Sequence, residues 1–169
     1  TKPSFWFYVL AGLGALAQLY AFSVLWSIFK NRIDNLSFSK VQFLMLKSVL
    51  FLLMIKIVLQ LLTALPYFAN MAANYLDLTI GYLHLTFLGI ISIGLFLFMD
   101  YFSLFPISKK SYVWYFLGFL LTEALIFYKG MAAWQQWNIF NGHLEILALL
   151  SILIPLGIAM MLIENRASN

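Results

Sequence analysis

The residues of this sequence that could do chemistry are a few ionisable side chains inside long apolar stretches. Lys56 and Glu123 each lie near the middle of such a stretch, whereas His84 and His143 lie nearer to the ends of two others. Ionisable groups at membrane depth cost about 3 kcal/mol or more, so they usually face the protein interior. These four positions are therefore the candidate functional residues.

Lys56 and Glu123 carry opposite charges at similar expected depth. At about 1.5 Å of rise per residue, Lys56 lies roughly 22 Å and Glu123 roughly 16 Å from the same side of their stretches. We expect them to form a buried ion pair, because either charge alone would be expensive, with Gln60 as a further hydrogen-bond partner of Lys56. The pair could relay protons or ions. It could equally fix the packing, or complete a site with helices outside this chain.

The two histidines are candidate ligands. His84 lies about 9 Å inside its stretch, and Gly81, one turn away, would leave room for a flat ligand or a neighbouring helix. A neutral buried imidazole can bind haem iron or copper when its second nitrogen is held by another group. His84 is therefore a candidate haem or metal ligand, and His143 is a candidate second ligand. The alternatives are a hydrogen-bonded interior histidine for His84 and a helix-start residue with Asn141 as N-cap for His143.

Five apolar stretches must position these residues. A transmembrane helix needs about 20 apolar residues to cross a hydrocarbon core of roughly 30 Å. The stretches cover about residues 5–29, 41–65, 78–102, 112–131 and 140–163. Pro66 ends the second, and Pro155 should kink the fifth because proline lacks a backbone donor. We predict an all-α fold, in which residues 1–169 form a single polytopic transmembrane bundle of about five antiparallel spans.

The composition supports a membrane protein and excludes several other classes. Hydrophobic residues make up 64% of the chain and charged residues 9%, whereas a soluble domain carries roughly a quarter of its residues as charged ones. The outer face must therefore be lipid. There is no cysteine, which removes thiolate metal sites, iron–sulfur ligation and disulfides within this chain. No nucleophile arrangement or phosphate loop appears, and nucleic-acid binding fits poorly.

Basic residues predict the orientation of the bundle. The first loop, the third loop and the tail contain Lys or Arg, whereas residues 67–77 and 132–142 contain neither. By the positive-inside rule the N-terminus is outside and the C-terminus is inside. The chain starts at Thr1 without a signal-peptide pattern. We therefore expect it to be part of a longer polytopic protein.

The segment around His84 resembles a known helix. Residues 83–89, LHLTFLG, resemble the leucine-histidine-leucine/phenylalanine … glycine helix of membrane haem–copper proteins. The sequence is most similar to the NnrS family and to bacterial relatives of haem–copper oxidase subunit I, over about residues 64–163, with Glu123 in the later part. The resemblance implies a bacterial inner membrane, haem or copper as cofactor, and His84 as ligand. The chain lacks a His-His pair and a His-x-x-x-Tyr motif, so further ligands would come from helices outside it.

The sequence leaves three functions open. The first is a haem- or metal-associated protein of the haem–copper oxidase-like group, with His84 and His143 as ligands. The second is a non-catalytic structural or accessory subunit of a membrane complex, in which both histidines are merely packed. The third is a small transporter or channel module that uses Lys56 and Glu123. The expected partners are the lipid bilayer and other subunits or helices of the same protein.

Overall fold

The computed structural model describes residues 5–32 and 37–168. Within these residues the chain is all-helical, and five of its helices are long and apolar enough to cross a membrane. The predicted all-α membrane bundle with about five spans is therefore confirmed at this level. Long apolar runs reach this outcome because a backbone in lipid must satisfy its own hydrogen bonds, which a helix does within one segment.

Six helices follow one another along the described part of the chain. They are α1 (Phe5–Arg32), α2 (Lys40–Thr63), α3 (Pro66–Asn74), α4 (Leu76–Tyr101), α5 (Lys109–Gln135) and α6, whose two parts are His143–Ser151 and Leu153–Ser168. The candidate spans end within four residues of the predicted limits, the largest difference being 131 against Gln135. The short helix α3 was not predicted, because the chain after Pro66 was assigned to a loop. Proline favours the first helical position, where its missing N–H costs nothing.

One end of the bundle carries most of the basic residues, and we call it the basic end. At this end, Asp100 in the last turn of α4 links α2 to the loop that follows α4. Gln42 Nε2 of α2 donates to Asp100 Oδ2 at 2.8 Å, and the Ile107 N–H of the following loop donates to Asp100 Oδ1 at 2.7 Å. We call the opposite end the α3 end. The basic residues at the basic end are Lys30, Arg32, Lys40, Lys109, Lys110 and Arg166.

Helix α5 lies between α4 and α6 and packs on both. Small residues allow these helices to approach closely, as is common between membrane helices. A Cβ on Gly157 of α6 would lie 2.6 Å from the Tyr115 backbone nitrogen of α5, and one on Gly130 of α5 would lie 2.6 Å from Leu78 Cδ2 of α4. Helix α1, by contrast, packs chiefly on α2 and exposes most of its side chains.

Helix α4 contains a π-helical segment, Leu85–Ile91, between two α-helical parts. Such segments are rare and are frequently found at functional sites. Side-chain hydroxyl groups bond to two carbonyl groups of this segment. Ser92 Oγ donates to the Phe87 carbonyl at 2.9 Å, and the Tyr115 hydroxyl of α5 donates to the Leu88 carbonyl at 2.7 Å. The sequence prediction did not include this change of helix type.

Helix α6 is interrupted at Ile152, three residues before Pro155. The Ile152 N–H bonds to the Leu149 carbonyl at 3.3 Å, so the turn is tighter than an α-helical one. Proline removes one hydrogen bond and its ring crowds the carbonyl four residues earlier, here that of Ser151. The irregularity that was expected from Pro155 therefore lies about one turn before it.

Candidate functional site

Two pairs of a glycine and a phenylalanine set the register between α4 and α5. A Cβ on Gly81 would lie 3.1 Å from Phe127 Cε2, and a Cβ on Gly89 would lie 2.7 Å from Phe119 Cζ. The two helices run in opposite directions, so Gly81 faces Phe127 and Gly89 faces Phe119. The stretch of α5 between the two phenylalanines therefore faces the stretch of α4 between the two glycines.

Glu123 lies in the middle of that stretch of α5, and its side chain is 6% exposed. Neither of its carboxylate oxygens has a hydrogen-bond partner among the described residues. The carboxyl group faces the backbone of Leu85, but the Leu85 N–H already donates to the Gly81 and Tyr82 carbonyls within α4. Glu123 is thus a buried acidic group at the start of the π-helical segment, and the one backbone N–H that it faces is already shared within α4.

The hydroxyl group next to Glu123 does not change this. Thr122 Oγ1 donates to the Gly118 and Phe119 carbonyls, both at 2.9 Å, and so is satisfied within its own helix. Burial of a charged group without a partner is costly, whereas a neutral acid has far less to lose on leaving water. The site suits a carboxyl group that carries a proton.

The structure does not form the expected ion pair between Lys56 and Glu123. Lys56 Nζ donates instead to Gln60 Oε1 at 2.5 Å and to Gln18 Oε1 of α1 at 3.3 Å. The Gln60 contact was predicted, and it is confirmed. The pairing with Glu123 fails because equal depth does not ensure that two helix faces meet: this side of α2 faces α1, whereas Glu123 faces α4.

His84 lies at the last α-helical position of α4, directly before the π-helical segment. Its side chain is half-buried, and its ring makes no hydrogen bond with the described residues. A histidine ligand usually has its second nitrogen held by a carbonyl or carboxylate group. His84 therefore has nitrogens free to bind a ligand, but this chain does not orient its ring by a hydrogen bond.

His143 is the first residue of α6 and is 3% exposed. Its Nε2 lies 3.1 Å from the Leu125 carbonyl oxygen of α5, and its ring lies against Tyr128 and Phe140, at 6.0 and 5.3 Å between centroids. Its Nδ1 is buried and has no hydrogen-bond partner in the described part of the chain. The N-cap is Gly142 in a left-handed conformation (φ 87°), not Asn141 as expected, because glycine adopts positive φ without strain.

The two histidines do not share one site. His84 belongs to α4, which packs on the side of α5 that carries Glu123, whereas His143 docks at Leu125. Positions 123 and 125 are about 200° apart around a helix, so α5 stands between the histidines. Among the described residues there is also no group of three or more His, Asp or Glu side chains that could hold a metal ion. Ligation of haem by His84 alone remains a prediction.

The sequence reasoning missed an ion pair at the α3 end. Lys129 Nζ of α5 lies 2.9 Å from Asp77 Oδ1 of α4, and about a third of each side chain is exposed. Both residues lie near the ends of their spans, where a charged side chain can reach the headgroup region without a partner. Their opposite charges near the same membrane boundary were the available signal, but only the antiparallel contact of α4 and α5 brings them together.

A hydroxyl pair lies in the core between Glu123 and the basic end. The Tyr112 hydroxyl donates to Ser48 Oγ at 2.8 Å, and Ser48 Oγ donates to the Leu44 carbonyl at 3.0 Å. One turn further along α5, Tyr115 bonds to the Leu88 carbonyl. Phe119, whose ring is fully buried, lies between Tyr115 and Glu123 along α5, one turn from each.

The arrangement therefore offers one buried carboxyl group between two aromatic rings, with tyrosine hydroxyls beyond one of them. It provides neither an ordered nucleophile nor a multi-ligand metal centre within the described residues. No protein family, curated protein or solved structure that was compared with the chain matches it.

Proposed function

We propose that this chain is a proton-binding module of a membrane transport protein, with Glu123 as the group that takes up and releases the proton. The observation that carries the proposal is the burial of both Glu123 oxygens, in the middle of a candidate membrane-spanning helix, without a hydrogen-bond partner among the residues that the structure describes. Ionisable residues at this depth are uncommon and usually serve a pathway or a pair. A pair is not formed here.

The surroundings of Glu123 favour a proton over a metal cation. Calcium binds about six to eight oxygen atoms, and magnesium keeps several waters in a near-octahedral shell. Glu123 offers two oxygens, and Thr122, beside it, is already bonded to its own helix. A proton needs only one carboxylate oxygen, and its binding neutralises the charge. Phe119 and Phe127 would have to move, or admit water, before the proton could leave.

The test measures proton uptake by the purified protein in liposomes that contain a pH-sensitive dye, with an imposed pH gradient. We expect Glu123→Gln to reduce protein-dependent proton flux at least tenfold. Glu145→Gln is the matched control, because Glu145 is an exposed glutamate in the first turn of α6. Equal flux in the wild type and in Glu123→Gln would contradict the transport proposal.

A spectroscopic measurement tests proton binding directly. Infrared difference spectra at varying pH should contain a carbonyl band from a buried protonated carboxyl group, and Glu123→Gln should remove that band. Glu145→Gln should leave it unchanged. If the band is absent in the wild-type protein, Glu123 is not a proton-binding group.

A second candidate function is haem or metal association through His84. The observation that favours it is the half-buried ring without a hydrogen-bond partner, next to a π-helical segment of the kind often found at functional sites. The cofactor would lie on the outer side of α4, shared with further helices or another subunit. There, His84 would hold one ligand position and the partner would supply the rest.

An absorption spectrum of the protein purified in its native assembly tests this candidate. Haem ligation predicts a Soret band that His84→Ala removes or shifts and that His143→Ala leaves unchanged, because His143 lies across α5. If copper is bound, elemental analysis should find metal that His84→Ala removes. Protein with neither haem nor stoichiometric metal would leave His84 as a packed or partner-contacting residue of an accessory subunit.

We also propose how the chain is inserted. The basic end would lie on the cytoplasmic side of a bacterial inner membrane, with the N-terminus outside and the C-terminus inside. This is supported by six Lys or Arg residues at the basic end and by the positive-inside rule.

A further inference from the structure

A cavity lies at the α3 end, between α2, α3, α4 and α5. Its volume is about 430 Å³, which falls within the range of roughly 300 to 1,000 Å³ that small-molecule sites occupy. Leu59 of α2, Met71 of α3, Tyr82 of α4 and Trp134 of α5 contribute to its wall. Its lining residues from α2, α4 and α5 lie near the ends of the candidate spans Lys40–Thr63, Leu76–Tyr101 and Lys109–Gln135.

The lining is almost entirely apolar, and it contains no charged side chain. Two of its hydroxyl groups are already used: Thr63 Oγ1 donates to the Gln60 carbonyl, and Thr79 Oγ1 donates to the Ala72 carbonyl. The Tyr82 hydroxyl and the Trp134 indole N–H donate to no described residue. The wall therefore combines a hydrocarbon-like surface with two free hydrogen-bond donors.

This combination specifies the chemistry of an occupant. Apolar cavities do not retain water well but do bind apolar molecules. A charged group would find no partner here, because its burial without one is expensive. A carbonyl oxygen, by contrast, could accept a hydrogen bond from Tyr82 or Trp134. The matching molecule is uncharged, mostly hydrocarbon, and carries an ester or ketone carbonyl group.

Helix α3 covers the cavity, and it could open to admit a molecule from the membrane. Helix α3 has no fully buried residue, and the Thr79–Ala72 hydrogen bond of 2.9 Å links it to α4. Elements with few buried apolar contacts open at lower free energy than core helices. We propose that this cavity binds an uncharged, carbonyl-bearing lipid that enters beneath α3. The proposal goes beyond proton binding at Glu123 and does not depend on it.

The test is photolabelling of the full chain in nanodiscs with a diacylglycerol that carries a diazirine in one acyl chain. Mass spectrometry should locate the adduct on peptides containing Met71 or Met131. Ala72→Trp should lower this labelling at least fivefold, because Ala72 lines the cavity. Ala73→Trp is the matched control, because Ala73 is the next residue of α3 and is exposed. Unchanged labelling in Ala72→Trp would overturn the proposal.

Two further measurements identify the ligand chemistry. Tyr82→Phe keeps the shape of the wall and removes one donor, so labelling should fall about threefold without loss of the fold. Excess dioleoylglycerol and excess isoprenoid quinone, added separately, should compete, and the stronger competitor identifies an ester or a ketone source. Competition by a plain alkane as strong as by either would overturn the carbonyl requirement. Glu123→Gln should label like the wild type, so loss of proton binding would leave this result intact.

Discussion

The surroundings of each ionisable side chain in this bundle are set by the helix face that lies opposite it. Lys129 of α5 meets Asp77 of α4 at 2.9 Å, whereas Lys56 of α2 meets two glutamine side chains. Glu123 meets hydrocarbon and the backbone of α4. Depth in the membrane limits which residues could meet, but it does not select the pair.

A double-mutant cycle should detect the Asp77–Lys129 pair. Asp77→Asn or Lys129→Met alone should lower the free energy of unfolding by about 1 kcal/mol or less, because the pair is partly exposed and therefore weak. The double variant should lose less than the sum of the two. Unfolding in mixed detergent micelles measures this, and strictly additive losses would show that the two side chains do not interact.

The same cycle on Lys56 and Glu123 should give a different result. Each residue lies in its own surroundings, so Lys56→Met and Glu123→Gln should change stability additively to within about 0.5 kcal/mol. A coupling energy of about 2 kcal/mol or more, measured in the same micelles, would restore the ion pair that the sequence suggested and the structure does not form.

At the scale of the helices, glycines decide how closely α5 approaches its neighbours. Gly157 of α6 lies against the Tyr115 backbone, and backbone atoms cannot move aside as a flexible side chain can. Gly94 of α4 has no other group within 4 Å of its ideal Cβ position. Both glycines lie within helices, so the effect of the same substitution can be compared at the two positions.

Alanine at these two glycines should have opposite effects. Gly157→Ala should destabilise the bundle by about 1–3 kcal/mol, because an added methyl group must push α5 and α6 apart. Gly94→Ala should be neutral or stabilising by up to about 1 kcal/mol, because alanine favours the helix. Melting temperatures in detergent compare them. A Gly157→Ala variant as stable as the wild type would show that the α5–α6 contact is looser than described.

At the scale of the whole molecule, five spans place successive connections at alternate ends. Ser37 and Leu104 lie at the basic end and Asn74 at the α3 end, and all three are exposed. The chain contains no cysteine, so single cysteines can be introduced without background.

Cysteine labelling tests the proposed insertion. A membrane-impermeant thiol reagent added outside intact cells should label Asn74→Cys, while Ser37→Cys and Leu104→Cys should react only after the membrane is opened. The reverse pattern would show that the bundle is inserted in the opposite orientation. Labelling of Asn74→Cys from the same side as Ser37→Cys would contradict the five-span arrangement itself.

The sequence by itself determined the membrane class and the five spans, because hydrocarbon solvent forces an apolar run of this length into a helix whatever its neighbours are. It also determined which ionisable residues are unusual. Only the tertiary structure decided their partners, because these depend on which helix faces meet. Lys56 bonds to Gln18 of α1, Asp77 pairs with Lys129, and α5 lies between His84 and His143. A tertiary contact also reaches the π-helical segment, because the Tyr115 hydroxyl of α5 donates to its Leu88 carbonyl.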